Sequence, residues 1–168
     1  MAAIVLFIHL VFFAAPLFLQ NDYDISHSQE FELNMKEEVF DLLADFNRHK
    51  EWNPWFQDDS TVMFEISTPS RGVGAYYKWS SDAQGSGLQK MTQVQEGKFI
   101  QLLFVSEAEG QAHSSYLFET DADKLIITWR IWGHSNDYLG KYISHFMGNM
   151  MIPVMRAGFK NLNQAASP

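Results

Sequence analysis

The sequence predicts an α+β domain in which a curved antiparallel sheet is covered by one long C-terminal helix. Two observations predict it. From Thr61 to about Gly133, alternating apolar and polar runs are separated by short turn segments. Connections that short favour antiparallel pairing over parallel crossovers. After Gly133 the apolar period lengthens, with Leu139, Tyr142, Ile143, Phe146, Met150 and Val154 at helical spacing. The chain has 168 residues, which fits a single folded domain.

The elements follow in order. Residues 1–19 carry no Asp, Glu, Lys or Arg, and Ala2–Leu19 is apolar apart from the breaks at His9 and Pro16. As a helix these 18 residues would span about 27 Å, close to the thickness of a bilayer's hydrocarbon core. Three readings fit: a retained signal anchor, a cleaved signal peptide, and an apolar segment packed against the domain. The anchor is preferred, because no basic residue precedes the run and bulky residues follow Ala14-Ala15, where a cleavable signal would show small ones. The expectation is a membrane-anchored protein whose folded domain lies outside the cytoplasm. Residues 20–27 read as a linker, 28–163 as the folded domain and 164–168 as a frayed tail.

Residues His27–Leu33 alternate as a strand does. Asn34 with Glu37 three residues on matches a capping box. Val39, Leu42, Leu43 and Phe46 then form one apolar face of a helix expected over Met35–His49. Pro54 ends that helix or opens a short turn, with Trp52 and Trp55 on one face of it. Six strands are expected at Thr61–Ser67, Val73–Ser81, Gly87–Gln95, Lys98–Glu107, Gln111–Thr120 and Lys124–Trp132. The last helix, capped by Asn136 or Asp137, should run to about Asn161 with a kink at Pro153 beside Gly148.

Composition removes several functions. With 12 Lys and Arg against 20 Asp and Glu, the chain lacks the basic footprint of a nucleic-acid binder. Without cysteine there is no disulfide, thiolate metal site or cysteine nucleophile. Neither a Gly-x-Ser-x-Gly elbow nor a phosphate-binding glycine loop occurs. The histidines at 27, 49, 113, 134 and 145 show no paired-ligand spacing. No metal, cofactor or nucleic acid is expected.

The element order resembles the START-like (SRPBCC) superfamily, and within it the polyketide cyclase/dehydrase type. The residues that carry the resemblance are Val39-Phe40-Asp41-Leu42-Leu43, Trp52-Asn53-Pro54-Trp55, Tyr77-Lys78-Trp79-Ser80-Ser81 with Gly85-Ser86-Gly87, and Ile127-Thr128-Trp129-Arg130. The resemblance implies a helix-grip fold, with the sheet wrapped around the long helix and a hydrophobic cavity between them. Its members bind lipids, sterols, hormones or polyketides, and a minority catalyse cyclisation or hydroxylation.

Met147, Met150, Met151 and Met155 lie on the last helix, half of the chain's eight methionines. Flexible, polarizable thioethers suit a surface that takes varied apolar ligands, although they also serve as plain core filling. Trp52 and Trp55 sit where the resemblance places the cavity mouth, or else they close the core. The residues assigned to ligand contact are Trp52, Trp55, Tyr116, Phe146, Met147, Met150, Met151 and Val154. The leading expectation is binding of an apolar small molecule or lipid without chemistry, by a domain attached to a membrane through residues 2–19. The alternatives are a cyclase-like enzyme using His113, Tyr116 or Arg130, and a protein-interaction module. Arg130 is otherwise expected on the outer face, paired with a surface acid.

Overall fold

The computed structural model describes residue 19 and residues 21–56, 61–82, 85–107, 110–135 and 138–167. The expected caps Asn136 and Asp137 lie outside them, as do residues 2–18 of the apolar segment.

Seven strands form one antiparallel sheet. They are β1 (Asp22–Glu32), β2 (Met63–Ile66), β3 (Tyr76–Ser81), β4 (Gly85–Gln95), β5 (Phe99–Ser106), β6 (Gly110–Asp121) and β7 (Lys124–His134). The order across the sheet is β1-β7-β6-β5-β4-β3-β2. All six expected strands form, and the first strand pairs with the last along its whole length, from Asp22 opposite His134 to Glu32 opposite Lys124. β1 therefore begins within residues read as a linker. Its own alternation there (Tyr23, Ile25 and His27 half-buried, Asp22, Asp24 and Ser26 exposed) fits that pairing.

Alternation assigns the two faces of the sheet. On β7, Leu125, Ile127 and Trp129 are buried, whereas Arg130 is exposed. Register carries this across the strands: Ile100, Tyr116, Trp129 and His27 share one row, and Tyr77, Gln89, Phe104 and Ala112 share another. Both rows lie on the concave, inner face. A shift in register between Met91 and Gln93 marks an irregularity in β4, and such features add bend and twist to a sheet.

Two short helices and one long one complete the fold: α1 (Lys36–Ala44), α2 (His49–Trp52) and α3 (Tyr138–Ala166). The expected capping box does not form. The chain leaves β1 directly into a 3-10 turn over Leu33–Met35, so Asn34 lies inside that turn and Met35 precedes α1 without a side-chain cap. The helix also ends earlier than its periodicity predicts. Asp45 is extended, and its carboxylate accepts from the Asn47 N–H at 2.9 Å, opening a new 3-10 turn over Phe46–Arg48. Asp45 also bridges Arg71. The apolar face continues through the break, since Val39, Leu42, Leu43 and Phe46 are all fully buried.

α3 has 29 residues and is about 43 Å long. Pro153 lies inside it without ending it, and the helix runs on to Ala166 instead of fraying near Asn161. It packs on β1, α1, α2 and the 3-10 turn Pro54–Phe56. Phe159 is the centre of that contact, with ring centroids 5.9 Å from Phe31, 6.0 Å from His27 and 5.9 Å from Trp129. The Asn161 amide donates to the Trp52 carbonyl at 3.0 Å, fixing α2 to the C-terminal part of α3.

Candidate functional site: the aromatic concave face

The inner face of the sheet is unusually aromatic. Phe56 and Phe64 stack at 3.9 Å, Trp79 and Phe104 stack at 5.0 Å, and Tyr77 touches Phe46, Phe56, Phe64 and Trp79. A Cβ at Gly87 would come within 2.2 Å of the Trp79 ring, so Trp79 lies flat over its neighbouring strand only because position 87 has no side chain. Trp52, Tyr116 and Trp129 form a second group, with centroids 5.2–6.3 Å apart.

The polar groups on and behind this face are neutral. Burial pushes the Tyr77 and Tyr116 hydroxyls well above the usual phenol range, and the two rings reinforce that shift at Tyr116. His49 is fully buried, and desolvation holds its pKa down to about 4. Its Nε2–H donates to the Leu43 carbonyl at 3.1 Å, which leaves Nδ1 as a bare lone pair. The His49 Nδ1 and Gln89 Oε1 atoms are buried with no hydrogen-bond partner. Gln89 lies directly across from Tyr77, and the His49 ring centroid is 6.0 Å from that of Tyr77. Two unmet acceptors thus flank one tyrosine. Among the described residues no carboxylate, lysine or arginine is fully buried.

The residues assigned to ligand contact from sequence fall into three environments. Trp52 and Tyr116 are core residues, and the Trp52 indole N–H donates to the Leu42 carbonyl at 2.8 Å. Met147, Met151 and Val154 are half-buried along α3. Trp55, Phe146 and Met150 are exposed, at 38%, 50% and 57%. Trp55 still touches the Trp129 ring at 6.2 Å, as Trp52 does, so both indoles of the turn share one partner.

His113 and Arg130 do not reach the concave face. His113 stacks on Trp132 at 5.3 Å, directly opposite it on the outer face. Arg130 pairs with Asp24 at 2.5 Å and lies 5.0 Å over the Trp132 ring. Arg130 is therefore the outer-face, acid-paired residue of the bland expectation.

None of Tyr77, Gln89 and His49 is among the residues assigned to ligand contact from sequence. The alternation Tyr76-Tyr77-Lys78-Trp79 was a legible signal that Tyr77 and Trp79 point the same way, opposite to Lys78. Nothing in the spacing brings His49 to Tyr77.

Two grooves open at the surface. One, of about 550 Å³, is lined by residues of β2–β5, among them Met63, Lys78 and Leu88, and by Glu107 just after β5. The other, of about 600 Å³, lies around Lys36, Gln93 and Phe99. Neither is lined by the residues assigned to ligand contact. No metal-ligating cluster of three or more His, Asp or Glu occurs among the described residues.

Solved structures share this arrangement. A norcoclaurine synthase point mutant from Thalictrum flavum, in complex with a transition-state analogue, aligns with a TM-score of 0.64 at 13% identity, covering 87% of this chain and 97% of that one. CalU16 from Micromonospora echinospora aligns at 0.55 and 13% identity, over 86% and 76% of the two chains. The Aha1 protein from Colwellia psychrerythraea aligns at 0.55 and 17% identity, over 80% and 91%. The chain has a helix-grip fold. No family model and no curated protein sequence matches it. At these identities the likeness is one of fold, and function must come from the site itself.

Proposed function

We propose that this helix-grip domain binds an apolar small molecule or lipid between the aromatic face of the sheet and α3, without chemistry, while residues 2–19 tether it to a membrane. The observation that carries the reading is the inner face itself: stacked aromatic rings, with neutral polar atoms and no buried charge among the described residues. Such a surface gains by covering apolar area and fixes orientation through a few polar groups. The unmet acceptors at His49 and Gln89 favour a ligand with an apolar body and at least one hydrogen-bond donor. Of the three acid–base candidates, His113 and Arg130 face the other way, and Tyr116 faces inward with burial holding its hydroxyl protonated, so the three do not converge. The tether reading rests on the apolar run of 18 residues ahead of Asn21, and we take the domain to lie on the non-cytoplasmic side, with which the acidic flank Asp22, Asp24, Glu30 and Glu32 is compatible. Among the described residues no helix is long and apolar enough to cross a membrane, and residues 2–18 lie outside them.

The test is native mass spectrometry of the full chain ejected from lipid nanodiscs, followed by titration with a fluorescent fatty acid. The expected result is a retained adduct, or saturable uptake of the probe above an empty-nanodisc control. A chain of bare mass that takes up no probe overturns the binding reading.

A further inference from the structure

The outer side of the first half of α3 carries an apolar stripe where a surface helix should be polar. From Tyr142 to Met155 the helix carries no Asp, Glu, Lys or Arg. Its inner side is spent on the domain, with Ser144 and Met155 buried and Met147, Met151 and Ile152 half-buried. Phe146, Met150 and Pro153 are exposed, and at ~100° per residue they fall on the opposite side of the helix. His145 and Asn149 are exposed beside them, so the apolar residues form a stripe and not the whole outer side. An exposed apolar stripe on a helix marks a surface that something else covers.

The place where the chain enters the domain says what covers it. The Asn21 carbonyl accepts from the Ser135 N–H at 2.9 Å and from the Ser144 hydroxyl at 3.3 Å. Asn21 is thereby pinned against the first turns of α3, and the 18-residue apolar segment ends two residues before it. A helix with its side chains is about 10 Å across. Ser144 is on the buried side of α3 and Phe146 on the opposite one, so Phe146 is about one helix diameter from the Asn21 anchor and Met150 about one turn farther along. The chain joins the domain at the end of α3 that carries them.

From this we infer that Phe146 and Met150 are a lipid-contacting surface, and that the first half of α3 lies on the bilayer that residues 2–19 enter. The inference rests on the tether reading above and adds an orientation to it. In this orientation the half-buried Met147 and Met151 lie between the bilayer and the domain.

The chain has no cysteine, so single-cysteine labelling needs no background substitution. Phe146→Cys, Met150→Cys and, on the exposed outer face of β6, Glu119→Cys are labelled with an environment-sensitive nitrobenzoxadiazole in the full chain. Each is reconstituted in phosphatidylcholine vesicles. Quenching is read with a lipid-borne nitroxide and with aqueous iodide. The expected result is that labels at 146 and 150 are quenched by the nitroxide several times more than at 119, and by iodide several times less. Equal iodide quenching at all three sites overturns the inference, because the stripe is then in water. Shielding of 146 and 150 from both quenchers also overturns it, and assigns the cover to residues 2–19 or a second copy. A chain that fails to float with the vesicles overturns the tether and the orientation together. None of these outcomes depends on the fatty-acid titration, which tests ligand binding separately.

Discussion

The two halves of α3 are one helix with two different designs. In the second half the inner side buries Met155, Phe159, Leu162 and Ala166, while Arg156, Lys160 and Asn163 face solvent. In the first half Phe146 and Met150 occupy the solvent side and no charged residue appears between Lys141 and Arg156. The contrast separates two causes of apolar sequence. The second half is apolar on one side because it packs on its own domain. The first half also carries an apolar stripe on its outer side, Phe146, Met150 and Pro153, which its domain does not cover. Stability should therefore respond to the second half, and association with lipid to the first.

The largest expected effect comes from Phe159→Ala. The side chain is fully buried among Phe31, His27 and Trp129. Its removal should cost about 3–5 kcal/mol in denaturant unfolding. Phe146→Ala in the same assay should cost no more than about 0.5 kcal/mol. If the two variants lose the same stability, the halves are not distinct.

Next in size is acid. His49 sits on α2, which Asn161 ties to the second half of α3. Burial lowers its folded pKa from 6.5 to about 4. The unfolded chain takes the proton near pH 6.5 and the folded chain resists it. Stability from this group is therefore complete above pH 6.5 and is lost as the pH falls towards 4. The gap corresponds to about 3 kcal/mol. His49→Gln keeps an N–H for the Leu43 carbonyl and removes the titration. Its unfolding free energy should lose most of the slope between pH 6.5 and 4 that the parent chain has. A parent chain with no slope there shows that His49 is not neutral and buried.

Much of the fold was legible because strands announce themselves locally. The alternation in Lys124–Trp132 and the turn residues between strands marked each element, and Pro69-Ser70-Arg71-Gly72 and Asp121-Ala122-Asp123 fall where the chain does turn. The pairing of β1 with β7 spans about a hundred residues and leaves no local mark, so Asp22–Ser26 read as a linker and only His27–Leu33 as a strand. The break of α1 at Asp45 was hidden for a related reason. The apolar period runs through it, while the cause lies in the bridge to Arg71 on another loop. The site was less legible than the fold. Tyr116, Met147 and Met151 were named, but the convergence of His49, Tyr77 and Gln89 depends on register and tertiary packing. Arg130 was placed correctly because an unpaired arginine inside an apolar face would be costly.

Two glycines of α3 give the finest test of the comparison. Glycine destabilises a helix interior by about 1 kcal/mol relative to alanine, so Gly→Ala should help wherever there is room. At Gly158 there is little. A Cβ would lie 2.9 Å from a Trp129 ring carbon and 3.7 Å from the Pro54 ring, in a buried contact that fixes the second half of the helix. Gly158→Ala should lower stability by about 1–2 kcal/mol, because overpacking against an indole outweighs the helical gain. At Gly148, in the first half, a Cβ meets nothing within 4 Å. Gly148→Ala should raise stability by about 0.5–1 kcal/mol, read as a higher denaturant midpoint at unchanged slope. The opposite signs are the point. One substitution, at two positions ten residues apart in one helix, reports which half the domain holds tightly and which it leaves for another surface. Two shifts of the same sign would mean that the halves are packed alike.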